Sequence, residues 1–214
     1  MIVDLLSQRN EHHIVGILDD SLCRGTSVSG IVVLGDLAQL NEIVVALQID
    51  GIVVAIGDNW TRARMVAMIR EACAHLIFPT LVHPRAHVAG SAEIGRGNVF
   101  MAGAVVNANA RIGEFCLLNT NSSVDHDSTL GDFVSLAPNS CVGGGTTIGA
   151  YTAVCLGANV IDHVCVGEHT VIGAGATVLR DLPGHVVAYG TPARIARERE
   201  VGELYHRTNE SIGL

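Results

Sequence analysis

Residues 82–112 read VHPRAH VAGSAE IGRGNV FMAGAV VNANAR I when split into sixes from Val82. Each block opens on a large apolar residue. Continuing by six gives Val82, Val88, Ile94, Phe100, Val106, Ile112, Leu118, Val124, Leu130, Leu136, Val142, Ile148, Val154, Val160, Val166, Ile172 and Val178, an unbroken series of 17. With large apolar residues at roughly a third of positions, chance gives such a run about once in 10^8. The position four residues later is mostly small, as at Ala86, Ala92, Ala104, Ala110, Cys116, Ser122, Ser128, Ser140, Ala158 and Ala176. Glycine often follows the large residue, as at Gly95, Gly113, Gly131, Gly149, Gly167 and Gly173.

A six-residue unit of this kind is a short strand plus a bend. The large residue points inward, the small one tucks beneath it, and a glycine or polar residue turns the chain. Three units close one triangular coil, so residues 18 apart stack, with adjacent coils ~4.8 Å apart. One coil cannot bury its own core, so many must stack. A helix is excluded: period six walks around a 3.6-residue helix, and each interior glycine would cost about 1 kcal/mol. Residues 82–178 therefore predict a parallel β-helix, within a domain spanning 80–193.

The segment 1–79 follows another pattern. Ile2–Arg9 reads as the end of an amphipathic helix, and His13–Leu18 as an apolar strand ending in Asp19 and Asp20. A Gly-rich stretch from Gly25 to Gly35 holds a short strand, Ile31–Leu34, and Asp36 caps a helix to about Gln48. Gly51–Ile56 reads as a second buried strand ending in Gly57, Asp58 and Asn59, with Asn59 capping a helix to about Ala74. Strand–helix alternation at this spacing predicts a small parallel α/β domain. Such sheets bind ligands at the carboxyl ends of their strands, here Asp19–Asp20 and Gly57–Asn59. Pro79 and Pro84 mark the junction. After Val178 the repeat stops, Gly190–Arg194 is a turn, and Arg194–Tyr205 reads as a short helix within a C-terminal helix and tail, 194–214.

Composition narrows the function classes. Hydrophobic residues make up 49% of the chain but aromatics only 4%, so Val, Ile, Leu and Ala must fill the core. Net charge is −8 and all 13 basic residues are Arg, without a basic run. That argues against nucleic acid or an anionic membrane surface as partner. The six cysteines have no C-x-x-C spacing and read as small buried residues in a reducing, cytoplasmic compartment. No apolar run is long enough to span a bilayer.

Leu18-Asp19-Asp20, Ala55–Asn59 with Arg62, Ile77–Pro84, Leu118-Asn119-Thr120, Val124-Asp125-His126-Asp127 and Gly190–Arg194 together resemble one family. It is the hexapeptide-repeat nucleotide-sugar N-acetyltransferases of bacterial surface-glycan synthesis, which are similar to sialic acid O-acetyltransferases. The likeness runs from about residue 2 to 197. It implies a left-handed coil, a Rossmann-like N-terminal domain, a homotrimer and acetyl-CoA as co-substrate. It also implies transfer of the acetyl group to the amine of a nucleotide-linked 4-amino-sugar. That amine is mostly protonated at pH 7, so attack needs a general base with a pKa near the operating pH, which histidine supplies. His126 stands at the family's catalytic position, followed by Asp127 as the carboxylate that orients the ring. The oxyanion of thioester attack calls for a fixed donor such as a backbone N–H.

By the same resemblance Asp19, Asp20, Gly57, Asp58, Asn59, Arg62 and Asn119 would contact the nucleotide sugar. Leu156 and Ala174, stacked on Pro138 at 18-residue steps, would line the coenzyme A arm. Arg180, Arg194 and Arg197 are candidates for its phosphates. Gly144, one full coil past His126, would leave room for the thioester beside the imidazole. Ser135 departs from the family's frequent histidine beside the thioester. The family also opens with a strand and a Gly-rich phosphate-binding turn. Here Met1 falls within the helix that follows them, so either the true start lies upstream or the α/β domain lacks its first strand and the chain is expected to bind acetyl-CoA normally and nucleotide sugar weakly.

Two further functions compete: O-acetylation of a sialic acid, and a catalytically inactive β-helix serving as an assembly partner. A zinc enzyme on this fold would need three converging histidines, and no two of the ten are 18 apart.

Overall fold

The computed structural model describes residues 1–8 and 11–205. Seventeen two-residue strands run at six-residue steps from Leu81–Val82 to Thr177–Val178. Each residue pairs in parallel with the one 18 later, as Leu118 with Leu136 and Val124 with Val142. The result is a three-faced parallel β-helix. The second residue of each strand points inward, and from Phe100 to Val178 every one of them is buried. Val82, Val88 and Ile94, in the first coil, have no coil beneath them and are only partly buried.

The small positions do more than save space. Ser128 Oγ donates to the Gly143 carbonyl at 2.8 Å, Thr146 Oγ1 to Ile161 at 2.9 Å and Thr152 Oγ1 to Gly167 at 2.8 Å. Each hydroxyl thus satisfies a turn carbonyl of the next coil that the strand ladder leaves over. Among the described residues no buried side-chain nitrogen or oxygen lacks a partner.

Every bend from residue 97 to 175 places one residue in the left-handed region, again at steps of six. These residues form three vertical columns, one per corner. One corner carries Gly97, Phe115, Phe133, Tyr151 and His169, the second Gly103, Asn121, Asn139, Gly157 and Gly175, and the third Asn109, Asp127, Gly145 and His163. Bulky aromatic residues rarely adopt this conformation. Here stacking compensates: Phe115, Phe133, Tyr151, His169 and His185 lie face to face at 4.5–5.3 Å between centroids.

The N-terminal residues pack on that aromatic corner. Helix α1, Ile2–Ser7, sets Leu5 against Leu81, Val99 and Met101 of the coil. Strands β1 (Ile17–Leu18), β2 (Ser27–Val28) and β3 (Ile31–Gly35) form a sheet in the order β1-β3-β2, with β1 parallel to β3. Asp36 caps a 3-10 turn, Leu37–Gln39, that leads into α2, Leu40–Leu47. Helix α3, Asn59–Ala72, joins Leu40, Val44 and Phe78 in one core with Phe115 and Phe133.

Four expectations are corrected. The α3 cap is Asp58, whose Oδ1 accepts from Thr61 N at 2.8 Å, while Asn59 turns toward the coil. Gly51–Ile56 forms no strand ladder; it joins the chain at Ile77 through an isolated parallel bridge. The coil does not end at Val178: Leu182 bridges Val166, and Val186–Tyr189 pairs with Val171–Ile172 at a step of 16. Two residues are missing from that turn of the repeat, which hides it from a search in sixes. Finally, Arg194–Glu198 is a strand antiparallel to Val186–Tyr189, not a helix. The last coil exposes a row of backbone donors and acceptors, and pairing with it outweighs the weak helical pattern of a five-residue stretch. The remainder of the expected tail, 206–214, lies outside the described residues. No helix among the described residues is long and apolar enough to cross a membrane.

Candidate active site

The site grows from the corner that follows the strand Ser123–Val124. Asp125 Oδ1 accepts from the His126 backbone N–H at 2.8 Å and from Asn107 Nδ2 at 2.8 Å, which pins the start of the bend. Asp127 takes the left-handed conformation, φ 58°. That bend carries its carboxylate back beside the preceding side chain, and Oδ2 lies 2.8 Å from His126 Nδ1. A carboxylate has no proton to give, so Nδ1 carries the hydrogen and Nε2 keeps its lone pair. Nε2 has no hydrogen-bond partner among the described residues. The hydrogen bond to Asp127, then the charge of Asp125, holds the His126 pKa above its ordinary value. The same bond holds Asp127 below the usual carboxylate range, with Asn109 contributing.

Gly144 lies one coil above His126, as the 18-residue step predicts. The space it leaves is filled by the imidazole itself. A Cβ on Gly144 would stand 2.8 Å from both Cε1 and Nε2 of His126. The absence of a side chain at Gly144 thus seats the ring. The Gly144 backbone N–H has no acceptor among the described residues, whereas Gly143 N and Gly145 N bond to Val160 O and His126 O. Gly144→Ala should push the ring off its seat and lower kcat about 10- to 100-fold. The displaced group is an exposed side chain, so a melting curve close to that of wild type is expected alongside.

Other expected site residues fall elsewhere. Leu156 and Ala174 are exposed and stacked in one column with Pro138, but on the Asn121–Asn139 corner. One chain therefore does not bring them to His126. Arg180 is exposed above the His126 corner, and Arg194 is exposed with Nη1 on the Ala193 carbonyl. Arg197 is held by Glu203, so its guanidinium is already engaged. Asn119 Nδ2 donates to the Leu136 carbonyl at 3.0 Å.

In the α/β domain, Asp19 closes its own turn, accepting from Ser21 N, Ser21 Oγ and Leu22 N, and those bonds hold its pKa down. Asp20 accepts from Leu37 N at 3.0 Å, tying the end of β1 to the next turn. Gly57 is exposed and Asp58 caps α3.

Arg62, Asn59 and Ser135 lie where the α/β domain meets the coil. Arg62 is buried, and its five N–H groups all find acceptors inside the chain: Phe115 O, Ile56 O, Gly57 O, Phe133 O, Asn59 Oδ1 and Ser135 Oγ. Asn59 Nδ2 donates to Tyr151 O and Thr152 O, and Ser135 Oγ donates to Asn59 Oδ1. These three side chains tie the α/β domain to the coil. Asn107 and Asn109, which do support the histidine, were not singled out in the sequence. A step of 18 back from Asp125 and Asp127 would have found them.

Residues 1–69 match the family described as PglD N-terminal domain. The whole fold is similar to a histidine-to-alanine variant of GDP-perosamine N-acetyltransferase from Caulobacter crescentus in complex with CoA and GDP-perosamine. That match has 34% identity and a TM-score of 0.86, covering 92% of this chain and 91% of that one. It is also similar to the acetyltransferase domain of PglB from Neisseria gonorrhoeae FA1090 in complex with acetyl coenzyme A, at 33% identity, TM-score 0.80 and 90% of each chain. WeeI from Acinetobacter baumannii AYE matches at 25% identity and TM-score 0.82, over 91% of this chain and 92% of that one. A search of curated protein sequences gave no match. An α/β domain on an 18-residue coil, matched over nine-tenths of both chains at a third identity, places this chain in the left-handed β-helix, hexapeptide-repeat family of nucleotide-amino-sugar N-acetyltransferases.

Proposed function

We propose that the protein transfers the acetyl group of acetyl-CoA to the amine of a nucleotide-linked amino sugar, with His126 as general base. The observation that carries this is the His126–Asp127 pair, which leaves Nε2 as the open, basic nitrogen. Nε2 takes the proton that the amine loses as its nitrogen bonds to the acetyl carbonyl carbon. The carbon–sulfur bond then breaks, and the imidazolium returns the proton to the leaving thiolate. The Gly144 N–H, which has no acceptor among the described residues, donates to the oxygen on which charge develops. Asp19, Asp20, Gly57 and Asp58 form the sugar-nucleotide side. Leu156 and Ala174 lie on a different corner from His126, which supports a homotrimer in which a neighbouring copy supplies the coenzyme-binding face.

The test is thiol release from acetyl-CoA across a panel of UDP-, GDP- and dTDP-linked amino sugars, with free sialic acid as the hydroxyl acceptor. Release with an amino sugar supports the reading; release only with sialic acid, or with none, contradicts it. The pH dependence adds a second check. Because Asp127 raises the His126 pKa, the ascending limb of kcat/KM should lie above the ordinary histidine value. Asp127→Asn removes the charge, so the limb should move to lower pH. The plateau should fall about 10- to 100-fold, because the ring loses its fixed tautomer.

A further inference from the structure

We infer that Asn109 is a positioning residue for the transfer, its side-chain amide holding the Asp127 carboxylate in the rotamer that locks the His126 ring. The inference rests on the reading of His126 as base, and it extends that site one coil downward.

Asn109 stands at the same bend as Asp127, one coil earlier. Both occupy the left-handed region, φ 59° and 58°, so their side chains leave the corner in the same direction. Asn109 Nδ2 donates to Asp127 Oδ1 at 3.1 Å, while the other oxygen, Oδ2, meets His126 Nδ1 at 2.8 Å. The two oxygens are therefore divided between two partners, and rotation of the carboxylate breaks both bonds. Asn109 is anchored in turn: its backbone N–H donates to Ser91 Oγ at 3.1 Å. The result is a rung of hydrogen bonds from coil to carboxylate to imidazole.

The rung matters because the site is open. The side chains of His126 and Asp127 are 59% and 57% exposed, so solvent competes for the carboxylate and packing does not hold it. Asn107 and Asp125 make a matching rung on the same corner, but that rung ends on the His126 backbone N–H. Of the two, the Asn109 rung alone reaches the ring. The charged groups facing the imidazole are Asp125 and Asp127 on its own bend and Asp162 two coils above.

Asn109→Gly tests this without disturbing the backbone, since glycine adopts the left-handed φ of this bend at no steric cost. Loss of one such bond should lower kcat/KM roughly three- to tenfold. With Asp127 free to turn away, the ascending limb should move to lower pH. In an Asp127→Gly background, where the carboxylate is already gone, Asn109→Gly should cause no further loss. An equal loss in both backgrounds would show that Asn109 acts through the fold and would overturn the proposal. So would a limb that stays in place, or one that moves upward, as expected if Asn109 merely drew charge from Asp127. NMR titration of the His126 imidazole reads the same shift without catalysis. If His126→Ala proves active, the base assignment fails, yet a downward shift of the titration in Asn109→Gly still supports the rung and its absence still refutes it.

Discussion

His126→Ala should lower kcat/KM by about 10^2- to 10^4-fold, the range a positioned general base contributes. The expected signature is a changed pH profile as much as a lower rate. Without the imidazole, only amine that is already deprotonated can attack. Activity of the variant should then climb with pH through the range where wild type has reached its plateau. Folding should be intact, because the ring is an exposed group on a bend and, among the described residues, its side chain bonds only to Asp127. Circular dichroism and melting should match wild type, and thiol release against pH provides the measurement. A variant within a few-fold of wild type at neutral pH would remove His126 from the chemistry.

Arg62→Met should produce the largest loss of stability. The side chain is buried and its guanidinium reaches carbonyls from both parts of the chain, Ile56 and Gly57 on one side, Phe115 and Phe133 on the other. Burial pushes its pKa down, but the charge is spread over neutral acceptors and no carboxylate is bonded to it. Methionine fills much of the volume and takes the guanidinium donor away from the carbonyls of Ile56, Phe115 and Phe133. Breaking such a buried network costs about 3–5 kcal/mol, or a fall in Tm on the order of 10 °C for a chain of this size. Arg62→Lys, with three donors in place of five, should fall in between. Thermal denaturation checks both. A Tm unchanged in Arg62→Met would show that the guanidinium network does not hold the α/β domain to the coil.

The reach of the sequence can be traced residue by residue. The inward positions from Val82 to Val178 were legible because the prism accepts one size of side chain at a fixed step, and nothing else competes there. His126 and Asp127 were legible because they are adjacent, so the bend alone decides that they meet. Asn109 depends on a partner a full coil away, and only the 18-residue step relates them. Arg62 and Asn59 lie on a helix whose hydrophobic pattern is weak, so their inward direction comes from contact with Phe115, Phe133 and Ser135, not from α3 itself. The strand Arg194–Glu198 is set by the open edge of Val186–Tyr189, a feature that exists only once the coil is built. Ala188 occupies an inward slot, but two residues early and with a small side chain, so the period conceals it.

Acetyl transfer to an amine leaves an amide, and the linkage formed distinguishes it from transfer to a hydroxyl. Wild-type protein is incubated with acetyl-CoA and the best nucleotide-linked amino sugar, and the product is followed by mass spectrometry before and after mild alkali. An amide survives this treatment and an ester does not. The expected product carries one acetyl group per sugar, stable to alkali and formed at a greatly reduced rate by His126→Ala. Loss of the added acetyl in alkali, or no acetylated sugar at all, would contradict transfer to an amine.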